Sequence, residues 1–194
     1  KKEYYLIENL EQIDNWITEA EDLGEVAVDT ETNSLDPHQA DLVGVSLSSK
    51  IGKACYIPIG HKYNKCIKKD LVLKKLKPLL EDPSIKKIGQ NIKFDFIVFF
   101  KHGINMTSME DTMLMSYVLD AGKNRHNMDT LSEIHLNHKT ISFKDLVGTG
   151  KKEINFSEVD VEKAKDYAAE DADITFRLYK KFQKSLRDEK MINI

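Results

Sequence analysis

The feature that most constrains the fold is a short apolar run that ends in two acids, VAVDTETNSL at residues 26–35. Successive side chains of a β-strand point to opposite faces of the sheet. A strand over this run therefore places Asp29 and Glu31 next to each other on one face. Two carboxylates held this close raise each other's pKa and cost stability unless a cation lies between them. The pattern predicts a strand end that binds a divalent metal ion.

The chemistry of the ligands indicates which metal would bind there. Oxygen ligands without a neighbouring histidine or cysteine suit Mg²⁺ or Mn²⁺ rather than zinc. The alternative is a solvated strand end with two ordinary surface acids. This alternative is the better interpretation of a D-x-E motif taken alone, because short motifs often match by chance.

A second acid-bearing segment is GQNIKFDFIVFF, residues 89–100. Asn91 is predicted to cap the start of a helix, and Asp95 follows one turn later on the same side. The apolar side chains around Asp95 exclude water, and an unpaired carboxylate is costly to bury, so this acid is expected to have a partner. An equally good interpretation of this segment alone is an acid that stabilises the positive end of the helix dipole.

The third segment is YAAEDADIT, residues 167–175. Tyr167 and Asp171 are four residues apart and reach the same point from one helical face, whereas Glu170 and Asp173 point elsewhere. A phenol and a carboxylate at this spacing can orient a water molecule and hold a metal ion. Taken alone, the spacing is better explained by a routine hydrogen bond on the surface.

The order of predicted elements indicates an α/β fold with a mixed sheet, because strands come first in a meander and then alternate with helices. Apolar spacing predicts strands over residues 26–32, 41–49, 54–60 and 85–89, with a short fifth near 106–109. Helices are predicted over residues 9–19, 71–80, 111–119 and 128–136, after Asn91, and from 161 onward.

Length and composition limit the class of protein. The 194 residues fit a single domain, since domains of about 100–200 residues are common. The net charge of −3 argues against a highly basic nucleic-acid binder, although bound cations would reverse the sign of a site. Cys55 and Cys66 match neither zinc nor disulfide patterns, which favours a reducing compartment. The missing initial Met and the charged helical end predict a piece excised from a longer protein.

Taken together, the three acid-bearing segments resemble the exonuclease motifs of the DnaQ-like proofreading superfamily, in the subgroup with a tyrosine in the third motif. DTETNSL, GQNIKFDFIVF, RHNMDTL, HKTISF and YAAEDADIT more closely resemble the 3′–5′ exonuclease domain of bacterial-type family A DNA polymerases, over nearly the whole chain. This resemblance implies a ribonuclease H-like fold with a mixed five-stranded sheet flanked by helices. It also implies hydrolysis of phosphodiester bonds at the 3′ end of DNA, with release of nucleoside monophosphates.

The resemblance assigns roles to the acids and the tyrosine. Asp29, Glu31 and Asp171 would hold the tighter of two divalent metal ions, Mg²⁺ or Mn²⁺. Asp29 would bridge to the second ion, near which Asp95 would lie. Tyr167 would orient the attacking water.

The resemblance also indicates residues that contact DNA. Leu35 and Phe143 match positions of apolar side chains that wedge between the terminal bases. Asn91 and Arg125 match positions near the scissile strand. Phe94 is a departure, because relatives often have tyrosine there, so a hydroxyl contact to DNA from this position is absent.

The implied partners are the single-stranded 3′ end of DNA and a polymerase domain that follows this domain in the parent chain. The exonuclease domain would span residues 1–194. The protein would be a monomer that does not bind membranes. The implied location is the bacterial cytoplasm or an organelle of bacterial ancestry. An RNA-trimming exoribonuclease of the same superfamily stays open, because it uses the same acids and tolerates a 2′-hydroxyl. A non-catalytic DNA-binding module is less favoured, since all the acids are present. His135 and His138 are interpreted as packing or surface residues rather than metal ligands.

Overall fold

A computed structural model describes residues 2–191, except for the side chain of Lys151. Its strands form one mixed sheet in the order β1-β4-β3-β2-β5-β6. The β2–β3 and β3–β4 pairs are antiparallel, and the β1–β4, β2–β5 and β5–β6 pairs are parallel. The strands are β1 (Glu3–Leu6), β2 (Glu25–Thr32), β3 (Leu42–Lys50), β4 (Lys53–Pro58), β5 (Lys86–Gly89) and β6 (Met109–Asp111).

Helices cover the sheet, and the predicted α/β class is confirmed. The helices are α1 (Leu10–Leu23), α2 (Lys69–Glu81), α3 (Lys93–Lys101), α4 (Thr112–Asp120), α5 (Met128–Leu136), α6 (Phe143–Val147) and α7 (Val161–Asp188). Short helical turns at Gly150–Lys152 and Phe156–Glu158 lie between α6 and α7 and were not predicted. Among the described residues, no helix combines the length and apolar character that crossing a bilayer requires.

Small residues bring α7 onto the face of the sheet that carries Asp29. Ala169 and Ala172 of α7 are fully buried against Ala54 of β4. Side chains of this size allow a helix and a sheet to approach closely, and this packing places the first turns of α7 near the end of β2. The opposite face packs against α1, α2 and α3 through a larger apolar core that includes Val28.

Within the described residues the sheet has six strands, so the predicted count of five is one short. The additional strand is β1, which pairs with β4 at the edge of the sheet, from Glu3↔Lys53 to Leu6↔Tyr56. Its side chains alternate only between exposed and half-buried, so the sequence gives no clear apolar alternation. The last strand also lies slightly later than predicted, at Met109–Asp111.

The prediction that Asn91 caps α3 is wrong. The helix begins at Lys93, and Asn91 has a left-handed backbone with φ of 59°. Instead, the Asp111 carboxylate accepts hydrogen bonds from the backbone N–H groups of Asn91 at 2.9 Å and Ile92 at 3.2 Å. An acid from the neighbouring strand thus satisfies donors that a cap residue would otherwise satisfy.

Candidate active site

Three acids meet where β2 ends and α7 crosses the sheet. Asp29, Glu31 and Asp171 each place a carboxylate oxygen within 4.8 Å of the others. Glu31 and Asp171 are only 7% and 6% exposed. Asp29 and Glu31 share a face of β2, as the alternation of a strand requires. The structure therefore brings together Asp29, Glu31 and Asp171, the three acids that the resemblance assigns to one metal ion.

The electrostatics of this cluster favour a bound cation. Burial raises the pKa of Asp29 well above its usual range, and the charges of Asp95, Glu31 and Asp171 raise it further. Burial and the neighbouring acids likewise raise the pKa of Glu31. The buried Oε1 atom of Glu31 has no hydrogen-bond partner among the described residues. A divalent ion would give this oxygen a partner and offset the repulsion, so the residues present fit such an ion.

Asp95 lies beside the cluster, at the point where β5 no longer pairs with β2. The last paired residue of β2 is Ala27, so the N–H of Thr30 faces the start of α3. The Asp95 carboxylate accepts hydrogen bonds there from the Thr30 N–H at 2.9 Å and from its hydroxyl at 2.6 Å. Burial raises the pKa of Asp95 to about 7, although both bonds from Thr30 lower it. The sequence predicted a partner for Asp95. That partner is Thr30 of β2, the strand that also carries Asp29 and Glu31.

Aromatic side chains form one wall of the site. The Tyr167 hydroxyl interacts with the Asp171 carboxylate, one turn along α7. Phe143 of α6 stacks on Phe156, with ring centroids 6.2 Å apart and planes 3° apart. Both rings also pack against Tyr167, at 5.9 and 6.2 Å. The sequence analysis missed Phe156, which is buried in a short turn, and did not use the capping box of Asn155 and Glu158 that begins this turn.

The acids open into a cavity of about 700 Å³. Two of the predicted DNA-binding residues line it: Leu35, which is 93% exposed, and Phe143, which is 41% exposed. Asn91 and Arg125 are not among its lining residues, and both are exposed outside it. The wall also contains residues that were not predicted, namely Thr32, Asn33, Ser34, Glu153, Ile154, Asn155 and Phe156.

A glycine in β3 lies beside one of the clustered acids. Gly44 pairs with Glu31, and a Cβ atom at Gly44 would lie 2.1 Å from the Tyr56 hydroxyl. Only glycine lets the Tyr56 side chain lie across β3 beside Glu31, where its hydroxyl is 2.7 Å from Nε2 of His61. A glycine within a strand often indicates such a close approach, so this signal was present in DLVGVSLSS and was not used.

The two histidines that were set aside have structural roles. His138 Nε2 lies 2.9 Å from Glu170, and the His135 ring packs edge-on against Phe182, with centroids 4.9 Å apart. Neither belongs to the group of potential metal ligands found among the described residues.

Comparison with known proteins gives consistent matches over the whole domain. A family profile described as 3′-5′ exonuclease matches residues 4–187. DNA polymerase I of Rhizobium leguminosarum is 44% identical over 198 residues, which cover 91% of this chain and 19% of the relative. DNA polymerase I of Pseudomonas aeruginosa is 44% identical over 172 residues, 86% of this chain. The chain spans 19% of the length of both curated relatives.

Solved structures match the fold over nearly all of this chain. The structure described as Brucella melitensis NrnC with bound Mg²⁺ is 25% identical, with a TM-score of 0.72, and the match covers 99% of this chain and 85% of NrnC. The catalytic core of RRP6 from Trypanosoma brucei has a TM-score of 0.73 at 15% identity, over 99% of this chain and 49% of RRP6. At that identity, the second likeness concerns the fold alone.

Proposed function

The chain belongs to the 3′–5′ exonuclease family found in DNA polymerase I, and from this premise we propose that it removes nucleotides from the 3′ end of DNA as a proofreading domain. The ribonuclease H-like fold that the sequence predicted is confirmed. The observation that carries the proposal is the group of three buried or half-buried carboxylates within 4.8 Å at the base of an open cavity. Residues 1–194 would form one domain of a longer chain that also holds a polymerase. Residues 1 and 192–194 lie outside the described residues.

The family is metal-dependent, and the acids of this chain suit two divalent ions, Mg²⁺ or Mn²⁺. Asp29, Glu31 and Asp171 would hold one ion, and Asp29 would share the second with the neighbouring Asp95. When bound, such ions would supply a strong nucleophile at neutral pH and neutralise charge on the attacking and leaving oxygens. Without cations, the clustered carboxylates repel a phosphate, so the metal-free protein is expected to bind DNA ends poorly.

The remaining side chains of the cavity would position the substrate. The Tyr167 hydroxyl, beside Asp171, would hold the attacking water in line with the scissile phosphate. Leu35 and Phe143 present apolar surface to the last bases, and stacking of this kind accepts any base. Asn91 and Arg125 lie outside the cavity wall, where they would contact the strand upstream of its end.

The proposal is tested by digesting a DNA strand labelled at its 5′ end, beside an RNA strand of the same sequence. We expect shortening from the 3′ end in Mg²⁺ or Mn²⁺, slower shortening of RNA, and no reaction with a chelator. Products that shorten from the 5′ end would contradict the assigned polarity. Faster degradation of RNA would instead favour an RNA-trimming enzyme with the same acids.

Tyr167→Phe is expected to lower the rate constant of hydrolysis by about 100-fold, the lower end of what a group that handles protons contributes. The loss is limited because the variant removes one hydroxyl and keeps every carboxylate. Single-turnover kinetics on single-stranded DNA measures it. Tyr4→Phe is a matched control, since the Tyr4 hydroxyl also donates to an acid of α7, Asp173 at 2.9 Å, but outside the cavity. Equal losses in both variants would contradict a role for Tyr167 in the reaction.

A further inference from the structure

Glu170 is a buried carboxylate in α7 that the proposed reaction does not use. Its side chain is 3% exposed and accepts hydrogen bonds from three residues in two separate segments. Lys2 Nζ donates at 2.5 Å and His138 Nε2 donates at 2.9 Å, both to Oε1. The backbone N–H of Ile141 donates to Oε2 at 2.6 Å. Burial would raise the pKa of Glu170, but the bonds from Lys2, Ile141 and His138 outweigh it and lower the pKa.

These bonds connect α7 to the loop between α5 and α6, residues 137–142. The first part of the loop is held on α5, because the Ser132 hydroxyl donates to the His138 carbonyl at 2.8 Å. The last part is held on α7 by the bond from the Ile141 N–H to Glu170. Two residues later, Phe143 begins α6 and enters the cavity. Glu170 thus lies one residue from Asp171 and also fixes the segment that leads to Phe143.

We propose that Glu170 is a positioning residue that holds loop 137–142 against α7, so that Phe143 is fixed relative to Tyr167 and Asp171. This inference rests on the proposed function, in which Phe143 stacks on a terminal base. The Phe143 ring has two contacts that set its place, Phe156 at 6.2 Å and Tyr167 at 5.9 Å. If the loop loses its attachment to α7, the Phe143 ring can still stack on a base, but its position relative to the acids is no longer fixed.

Asp173 offers a close comparison, because it is also a buried acid of α7 that accepts hydrogen bonds from distant segments. It is fully buried and accepts from the Tyr4 hydroxyl at 2.9 Å and the Gly52 N–H at 2.7 Å. Those donors belong to β1 and to the turn between β3 and β4, which do not line the cavity. A residue with a purely structural role should therefore behave like Asp173.

The test compares Glu170→Gln with Asp173→Asn in the full chain, with Mg²⁺ and single-stranded DNA. Glutamine keeps the size of the side chain, but its NH₂ group replaces one carboxylate oxygen and cannot accept the hydrogen bonds that this oxygen accepts. We expect Glu170→Gln to raise KM about tenfold, as for a weakened base stack, with kcat nearly unchanged. Asp173→Asn should leave KM unchanged, although both variants lose stability. Equal changes of KM in the two variants, or none in Glu170→Gln, would overturn the proposal.

A double-mutant cycle identifies the residue through which Glu170 acts. In a Phe143→Ala background, Glu170→Gln should raise KM no further, whereas an additive rise would overturn the proposal. His138→Ala removes one donor to Glu170 and should raise KM in the same direction, which keeps the test usable if Glu170→Gln fails to fold.

Hydrogen exchange gives a readout that does not depend on DNA hydrolysis. Faster exchange over residues 137–147 is expected in Glu170→Gln and not in Asp173→Asn, and unchanged exchange would overturn the proposal. If the wild-type chain does not degrade DNA, the proposed function fails, and this measurement still decides whether Glu170 holds the loop.

Discussion

Asp29→Asn is expected to abolish DNA hydrolysis and to leave the metal-free protein at least as stable as the wild type. Asp29 would serve both metal ions, so the loss of rate should exceed the roughly 10²–10³-fold that follows removal of one stabilising group in other enzymes. The charges of Asp95, Glu31 and Asp171 all act on Asp29. A neutral amide of the same shape removes this repulsion. We therefore expect the free energy of unfolding of the metal-free variant to equal or exceed that of the wild type.

The two halves of this prediction are measured separately, by single-turnover kinetics in Mg²⁺ and by urea unfolding with a chelator. Asp173→Asn is the control, because Asp173 is fully buried but the protein supplies its partners, namely Tyr4, Gly52 and the Arg177 guanidinium at 4.0 Å. It should lose about 1–3 kcal/mol of stability, as expected when a buried hydrogen bond is broken, and keep its activity. If Asp29→Asn instead destabilised the metal-free protein to the same extent, Asp29 would be a structural acid like Asp173.

Asp29→Asn and Asp173→Asn are expected to change the stability of the metal-free protein in opposite directions, because the two acids have different surroundings. Asp173 and Glu170 face donors supplied by the protein, and the fold therefore satisfies them without a ligand. Glu31 has a buried oxygen for which residues 2–191 supply no such donor. A cluster that the protein leaves unsatisfied is costly to fold, and selection for activity explains why such a cost would be kept. The distinction depends on hydrogen-bond partners, and burial alone does not reveal it.

The sequence predicted the parts of the fold that depend on local spacing. α5 was predicted at its observed bounds, Met128–Leu136, and α7 begins at Val161 as predicted. Strand β2 and the placement of Asp29 and Glu31 on one face follow from an alternation that every strand obeys. The opposite directions of Asp171 and Glu170 on α7 follow in the same way from helical periodicity.

The features that the sequence did not reveal depend on partners far away in the chain. Asn91 looks like a helix cap, but the group that satisfies this helix start is Asp111, 20 residues later. Strand β1 forms because it pairs with β4, and its own residues show no clear apolar alternation. The roles of Phe156 and Glu170 depend on how the loops pack over α7. Local spacing cannot show which carboxylate will find a donor and which will require a cation.

Removal of divalent ions is expected to stop hydrolysis completely and to lower the stability of the wild-type protein. A ligand that binds only the folded state stabilises it by about 2.7 kcal/mol when its concentration is 100 times its Kd. In this chain the gain should be large, because the ion would relieve repulsion among Asp29, Glu31 and Asp171 and would bind the unsatisfied oxygen of Glu31. The measurement is urea unfolding across a titration of Mg²⁺ or Mn²⁺, at constant ionic strength maintained with KCl.

Three variants make this prediction specific to the acid cluster. Asp29→Asn and Asp171→Asn should lose most of the metal-dependent gain, because each removes one of the three clustered carboxylates. Asp173→Asn should begin less stable than the wild type but show the full gain, because its carboxylate faces Tyr4 and Gly52. The difference in stability between Asp29→Asn and Asp173→Asn should therefore shrink as the metal concentration rises. Parallel curves would mean that the ions stabilise the protein elsewhere, and the acids at the end of β2 would then need another explanation.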